Sequence, residues 1–468
     1  LSNAIFAQQP RDTHTKVCLL RAAGEQDFCG VHQAASTFVV TRQSPFLNDR
    51  RFFSMKKLLQ TLPLCGAGFL PALFFASFVP AQAQTETQLH AFQGTDGGFP
   101  KGGLTADAQG NLFGATPELG NPNCNCGTLF EITSTGTFAV LYAFPGNGGP
   151  STPNGQPVLI GNTLYDTTST GGSSGFGTIF SFNLQTQSLT ILHDFSGADG
   201  AFPSSLVADA AGNLYGTTLS HASGQCGISG CGTLFKYARS GTFTTIYSFS
   251  GHATGGNPVG GLTLDPSGNY YVATGLGGGH DLGTIDKISP DGSQAVNLHS
   301  FSIVSGGYAP NAGLALDSTG NIYGTTGLGG KKNDCLQEGF SGCGELFEIT
   351  ASQGKYVSLY RFTGRADSGF PAGGVLLNNG LIYGTTSGVG PVAPVSWGTV
   401  WQFDPASSTL TTLYNFQPAP DGVFPESNLL LVNAQYLIGT TYQGGNGNCS
   451  SPTATGCGTV FKLKLTNR

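Results

Sequence analysis

One phrase recurs along this chain with small edits, and that recurrence limits the fold more than any other feature. The cleanest copy runs from Gly212 to Phe249. It reads Gly212-Asn213-Leu214-Tyr215-Gly216-Thr217-Thr218, a cysteine-bearing loop, Gly232-Thr233-Leu234-Phe235-Lys236-Tyr237, a short turn, then Ile246-Tyr247-Ser248-Phe249. The phenylalanine closing each copy falls at Phe92, Phe144, Phe195, Phe249, Phe301, Phe362 and Phe416, at intervals of 52, 51, 54, 52, 61 and 54 residues, with 52 more to Arg468. Seven units follow, and a period near fifty marks a radial or stacked repeat.

Each unit reads as four short strands of β-branched and aromatic residues bounded by Gly, Asn, Asp and Pro. In one copy Gly261-Leu262-Thr263-Leu264-Asp265 is the first strand, Pro266-Ser267-Gly268-Asn269 the turn, and Tyr270 to Thr274 the second strand. A third strand begins at each Gly-Thr pair, as at Gly127-Thr128, and a fourth runs as from Phe138 to Phe144. The 72 glycines and 10% charged residues agree, since long helices need Ala, Leu, Glu and Lys runs without Gly.

Four antiparallel strands per repeat describe β-propeller blades. The first copy is preceded by a lone fourth strand, Gln88 to Phe92, and the last stops after its third, Gly458 to Leu463. Joining the two fragments closes a seven-bladed all-β ring and removes two sheet edges. An open solenoid would need terminal caps, which the chain does not show.

The combination of Asp-Gly-x-Phe-Pro, Gly-Asn-Leu-Tyr-Gly-Thr-Thr, Gly-Gly and Gly-Thr-Leu-Phe resembles the tandem repeat called Gloeo/Verruco, or GloVer, of exported bacterial proteins. The resemblance spans residues 88 to 463. It implies an extracellular repeat protein without an assigned activity, often carrying a variable C-terminal sorting anchor. Lys464 to Arg468 is no such anchor, so release is expected over surface attachment.

Export also follows from the residues themselves. Met55, Lys56-Lys57, an apolar stretch from Leu58 to Val79 and Ala81-Gln82-Ala83 make a secretory signal peptide over 55–83. Leu64 before Cys65 opposes a lipoprotein signal, and Pro63, Pro71 and Pro80 oppose a retained membrane span. Residues 1–54 read as sequence upstream of the true start, or as a disordered extension. The expected mature part, 84–468, is the propeller. It carries 12 basic and 22 acidic side chains, a formal charge of −10. Nucleic acid is an unsuitable partner for that surface, and a monomer is expected.

Alternating strands put the long loops, those entering strand one and those joining strands two and three, on one face. That face is the expected binding surface. Its loops hold four cysteine pairs: Cys124 and Cys126, Cys226 and Cys231, Cys335 and Cys343, Cys449 and Cys457. Local disulfides are expected in an oxidising compartment; Cys124 and Cys126 are close for an unstrained bridge. Thiolate metal binding is the alternative.

Proline opens every first strand, where its missing N–H is tolerated. Asp96, Asp199, Asp367 and Asp421 precede four of these prolines and are candidates for a cation or sugar site at the ring's mouth, or for turn-building. His221, His252 and His280, with Asp281, lie in long-face connections of copies three and four and are a candidate zinc set, against chance placement of loop histidines. His90, His193 and His299 occupy fourth strands where Tyr142, Tyr247, Tyr360 and Tyr414 stand in other copies, which suggests packing.

No nucleophile elbow or phosphate-cradling loop is present, and no cofactor is called for beyond that metal alternative. The expectation is an exported, disulfide-stapled propeller, secreted, periplasmic or extracellular, that binds a glycan or protein through its long-loop face. A carbohydrate-active lyase or hydrolase and a structural matrix protein are the alternatives. Residues shared by all copies belong to blade construction, so specificity must lie in what differs between copies.

Overall fold

In a computed structural model of the chain, the described residues are 84–465, apart from 154, 221–225, 227–229, 253, 304–305, 311, 331–334, 336–341, 389–395 and 450–454. The expected signal segment lies outside them. Seven antiparallel blades follow one another along the chain. Blade 4 shows the plan, with strands Gly256–Leu264, Tyr270–Leu276, Thr284–Ile288 and Ala295–Ser300 paired in sequence order. First strands line the ring's axis and fourth strands its rim.

The ring closes as the chain ends imply. Glu86–Ala91 pairs antiparallel with Thr459–Lys464, in register from Glu86 opposite Leu463 to Ala91 opposite Thr459 with a bulge between Gln88 and His90. Blade 7 therefore takes its outermost strand from the start of the propeller and its inner three, Leu430–Val432, Tyr436–Thr441 and Thr459–Lys464, from the end.

What joins blades is the closing phenylalanine. All seven are at most 1% exposed. At six seams the ring packs against an aromatic of the next blade's third strand, edge-on for Phe92 on Phe130, Phe144 on Phe180, Phe195 on Phe235, Phe301 on Phe347 and Phe416 on Phe461, and tilted for Phe362 on Trp401. Their centroids are 5.1 to 5.7 Å apart. Such pairs add about 1 kcal/mol each beyond the area they bury. The same third-strand aromatic explains the glycine of Tyr-Gly-Thr: a Cβ on Gly216 would lie 2.6 Å from Phe235 Cζ.

The Gly-Thr glycine is fixed twice over. Gly458 has φ +96°, and a Cβ there would come within 2.4 Å of the Thr441 carbonyl oxygen and 2.7 Å of Pro100 Cδ in blade 1. Its carbonyl accepts the Phe92 N–H at 3.0 Å, and the Cys457 carbonyl accepts the Phe99 N–H at 2.7 Å. Every closing phenylalanine donates in this way to the glycine that precedes its blade's third strand, which in blade 5 is Gly344 before Glu345. In six blades a buried pair of threonine hydroxyls, 2.7 to 2.9 Å apart, ties the second strand to the third beside it.

These contacts separate two glycines of similar φ. Gly458→Ala should cost about 3 kcal/mol through left-handed backbone and overpacking together. Gly136→Ala, at φ +91° with nothing within 4 Å of an added Cβ, should cost about 1 kcal/mol. Equal losses in equilibrium urea unfolding would contradict the packing account.

Candidate functional site

The long-loop face is built from seven like junctions. At each, the residue before the strand-opening proline has a positive φ of 55° to 60°: Phe99, Thr152, Phe202, Asn257, Ala309, Phe370 and Phe424. No glycine occupies these positions, so each stores strain of about 1 kcal/mol or more. The backbone turn leaves the four phenylalanines half-buried on this face.

The four candidate aspartates brace these junctions. Asp96 Oδ2 lies 2.9 Å from His90 Nε2 and its Oδ1 accepts the Gln93 N–H at 2.7 Å. Asp199 repeats this with His193 at 2.8 Å and the Ser196 N–H at 2.8 Å. Asp367 and Asp421 accept instead from the Tyr360 and Tyr414 hydroxyls, each at 2.9 Å. The histidines stack flat on the next blade, His90 on Phe138 at 3.6 Å and His193 on Phe243 at 3.7 Å. Burial alone would raise the Asp96 and Asp199 carboxyls, but these hydrogen bonds outweigh it and hold both below the usual range.

At the seam between blades 4 and 5 the brace moves to another strand. Glu345, fully buried, stands where six blades carry threonine, and its carboxylate accepts the Gly307 N–H at 2.7 Å, the Ser358 hydroxyl at 2.8 Å and the Tyr356 hydroxyl. Arg361 Nε is 3.6 Å away. His299 stacks on Tyr356 at 3.9 Å.

All four cysteine pairs are disulfides: 124 with 126, 226 with 231, 335 with 343 and 449 with 457, at Cα separations of 5.0 to 5.4 Å. Blades 2, 4 and 6 carry Phe176, Leu282 and Trp397 where the second cysteine stands. The bridge thus replaces a large apolar side chain beneath the next junction. Of the candidate zinc set, His221 lies outside the described residues. The His252 carbonyl accepts the Gly278 N–H at 2.9 Å and Asp281 Oδ1 the Gly277 N–H at 2.7 Å. Among the described residues no three His, Cys, Asp or Glu side chains converge.

The chemistry at the mouth of the channel comes from residues that the repeat pattern left unremarked. Lys101 and Glu426 each follow a strand-opening proline, in blades 1 and 7, and meet at 3.9 Å. Lys101 Nζ also sits 4.5 Å over the ring of Tyr442, which lies 5.3 Å from Phe99. Burial, opposed by Lys101, raises the Glu426 carboxyl; burial, with Glu118 and Glu426 nearby, raises the Tyr442 hydroxyl. The Thr440 hydroxyl holds this seam, reaching the Pro100 and Gly102 carbonyls at 3.5 Å. Beneath lies a cavity of about 180 Å³ walled by the first strands. The sequence carried a signal: across the seven copies the residue after the proline is Lys, Asn, Ser, Val, Asn, Ala or Glu, and only the first and last are charged.

A larger groove, about 730 Å³, separates blades 3 and 4 on the opposite face and is lined by Tyr215, Tyr270, Lys236, Asp209, Asp265 and Asp291. Its polar groups are already engaged. Asp209 accepts from Asn213 and the Tyr215 hydroxyl, Asp265 from Asn269, and Asp291 from Ser289 and Ser293. Both tyrosine rings are buried.

Two carboxyls sit inside seams where other blades are apolar or bare. Asp166 takes the place of the Tyr-Gly-Thr glycine in blade 2; it is fully buried, Oδ1 accepts only the Thr167 N–H at 2.8 Å, and Oδ2 has no partner among the described residues. In blade 4 Asp286 and Val272 face each other where an aromatic ring and a glycine do in five other blades. Burial pushes both carboxyls up to about 7. A carboxyl raised in the folded state costs nothing below its unfolded value near 4, and its cost grows until the pH passes the folded value. Asp166→Asn should therefore gain stability relative to the parent between pH 4 and 8, by on the order of 4 kcal/mol. A pH-independent difference in denaturant unfolding would contradict the burial assignment. Burial, opposed by Glu345, lowers His299 to about 4, so His299→Phe should relieve a loss of stability that sets in as pH falls from about 6.5 toward 4.

A family model described as the Gloeobacter/Verrucomicrobia repeat matches residues 124–336 and 335–468. Among curated protein sequences none matches the chain. Of solved structures, an oligogalacturonate lyase in complex with manganese is similar, with 13% identity and TM-score 0.51, over 83% of this chain and 95% of that one. The extracellular domain of a protein described as a hybrid two-component system from B. thetaiotaomicron has 11% identity and TM-score 0.51, over 81% of this chain and 41% of that one. At such identities the likeness extends to the fold alone.

Proposed function

The chain belongs to the Gloeobacter/Verrucomicrobia repeat family, and from that premise we propose that it is an exported propeller that binds a glycan or similar hydroxyl-rich ligand at the long-loop mouth of its channel. The observation that carries this is the convergence of Lys101, Glu426 and Tyr442 at the closing seam. A carboxylate and an ammonium side by side can accept from and donate to neighbouring sugar hydroxyls, while the Tyr442 and Phe99 rings offer apolar faces to its C–H groups. Four disulfides support an oxidising compartment, and no helix among the described residues is long and apolar enough to cross a membrane. Paired-carboxylate chemistry would need a second acid, and Glu426 is the single carboxylate on the cavity wall among the described residues.

Glu426→Gln and Lys101→Ala should each weaken glycan binding tenfold or more, about 1.4 kcal/mol. Thermal stability should hardly move, because a 3.9 Å ion pair with an exposed Lys101 end and a half-buried Glu426 contributes at most about 1 kcal/mol to folding. A glycan array followed by titration calorimetry reads both. Absence of any glycan ligand, or affinity indifferent to both substitutions, overturns the reading.

A further inference from the structure

The cavity beneath the mouth resembles a socket for one unit of a ligand. Its walls are small and polar, with Gly102, Gly103, Gly260, Gly261 and Gly313 beside Ser204 and Ser205. Bare glycine leaves peptide groups facing the space. Its volume, about 180 Å³, is room for several waters and so for one small hydroxyl-bearing group. Residues further along the first strands, from Thr105 or Thr263 onward, do not line it.

A bar of two amide side chains starts from Asn428 on its wall. Asn428 Nδ2 donates to Gln156 Oε1 at 3.4 Å, so blades 7 and 2 touch across the front of blade 1. Gln156 Nε2 donates to the Leu104 carbonyl at 2.9 Å, and Asn428 Oδ1 accepts the Gly374 N–H at 2.7 Å. Gly103 faces this bar so closely that an added Cβ would lie 2.6 Å from Gln156 Oε1. Position 156 is glycine in the corresponding place of blades 1, 4, 5 and 6, namely Gly103, Gly261, Gly313 and Gly374. The obstruction is thus specific to the two copies that carry a long amide.

Resting on the binding reading above, we infer that this socket receives the terminal unit of a hydroxyl-rich chain and does not admit the interior of a polymer. A unit within a chain needs an opening on each side; Lys101 and Glu426 stand at the face, and along the first strand of blade 7 the lining reaches inward no further than Asn428, whose amide is tied to that of Gln156. The end unit sits among the serine hydroxyls and bare peptides with Glu426 accepting from it. The next unit lies at the rim, against Tyr442 and Phe99.

The test uses the full chain purified from an exporting host. Polysaccharides on an array are presented intact and after limited cleavage at equal mass, and linear maltoheptaose is compared with β-cyclodextrin, its endless counterpart, by calorimetry. Chain-end recognition predicts at least fivefold more binding after cleavage. It also predicts tenfold or greater preference for a linear over a cyclic glucan if glucans bind, and competition by the free monosaccharide of the bound polymer. Ala372→Leu, which fills the socket, should abolish binding with the near-UV circular dichroism unchanged. Binding that Glu426→Gln abolishes but that is indifferent to ends overturns the chain-end inference while leaving the mouth as the site. Binding to no glycan, or indifference to Glu426→Gln and Lys101→Ala, overturns both.

Discussion

A blade of this protein is one-sided until its neighbour supplies a ring. The phenylalanine ending each fourth strand cannot be buried by its own sheet, and it finds its partner on the third strand of the next blade, as Phe195 does on Phe235. Because the requirement passes from blade to blade, it is satisfied everywhere only if the last blade meets the first. Glu86–Ala91 accomplishes this by delivering Phe92 to Phe130 while pairing with Thr459–Lys464. Two sheet edges vanish in the same step, which is why no capping repeat is required. The seam between blades 3 and 4 departs from the rule: Phe249 has no facing aromatic at that position because Asp286 stands there, with Val272 filling the glycine's place.

Closure also sets where chemistry can gather. Positions identical in every blade are consumed by construction, and the candidate aspartates are drawn into it through His90, His193, Tyr360 and Tyr414. Only positions free to differ can confer specificity. Lys101, Glu426 and Tyr442 are such positions, and they lie at the seam between the first and last copies. The proposed site there joins residues more than 300 apart in sequence and would form only in the closed ring.

Much of this architecture was legible because repeats average out local ambiguity. Seven closing phenylalanines, the complementary chain ends and the cysteine pairs each predicted a feature the structure contains. Turn-building by aspartate was legible as one of two readings, though its His and Tyr partners on the preceding strand were not, since strand pairing in three dimensions brings them within reach. The transfer of the brace to Glu345 is not legible, because a carboxylate on the third strand, within Gly344-Glu345-Leu346-Phe347, reads as a surface residue until its register places it beside Thr326. The mouth was missed for a related reason. Lys101 and Glu426 each look like single deviations inside a repeat, and their pairing depends on which copies become neighbours.

The central claim, that one seam both closes the ring and forms the mouth, is most directly tested by hydrogen exchange on the parent and on Phe92→Ala, a truncation expected to cost about 3 kcal/mol or more. The account predicts that protection falls at 459–464 and at 100–106, on either side of that seam, while the third strand of blade 3, Thr233–Tyr237, keeps its protection. Uniform loss around the ring, or unchanged exchange at 100–106, would contradict it.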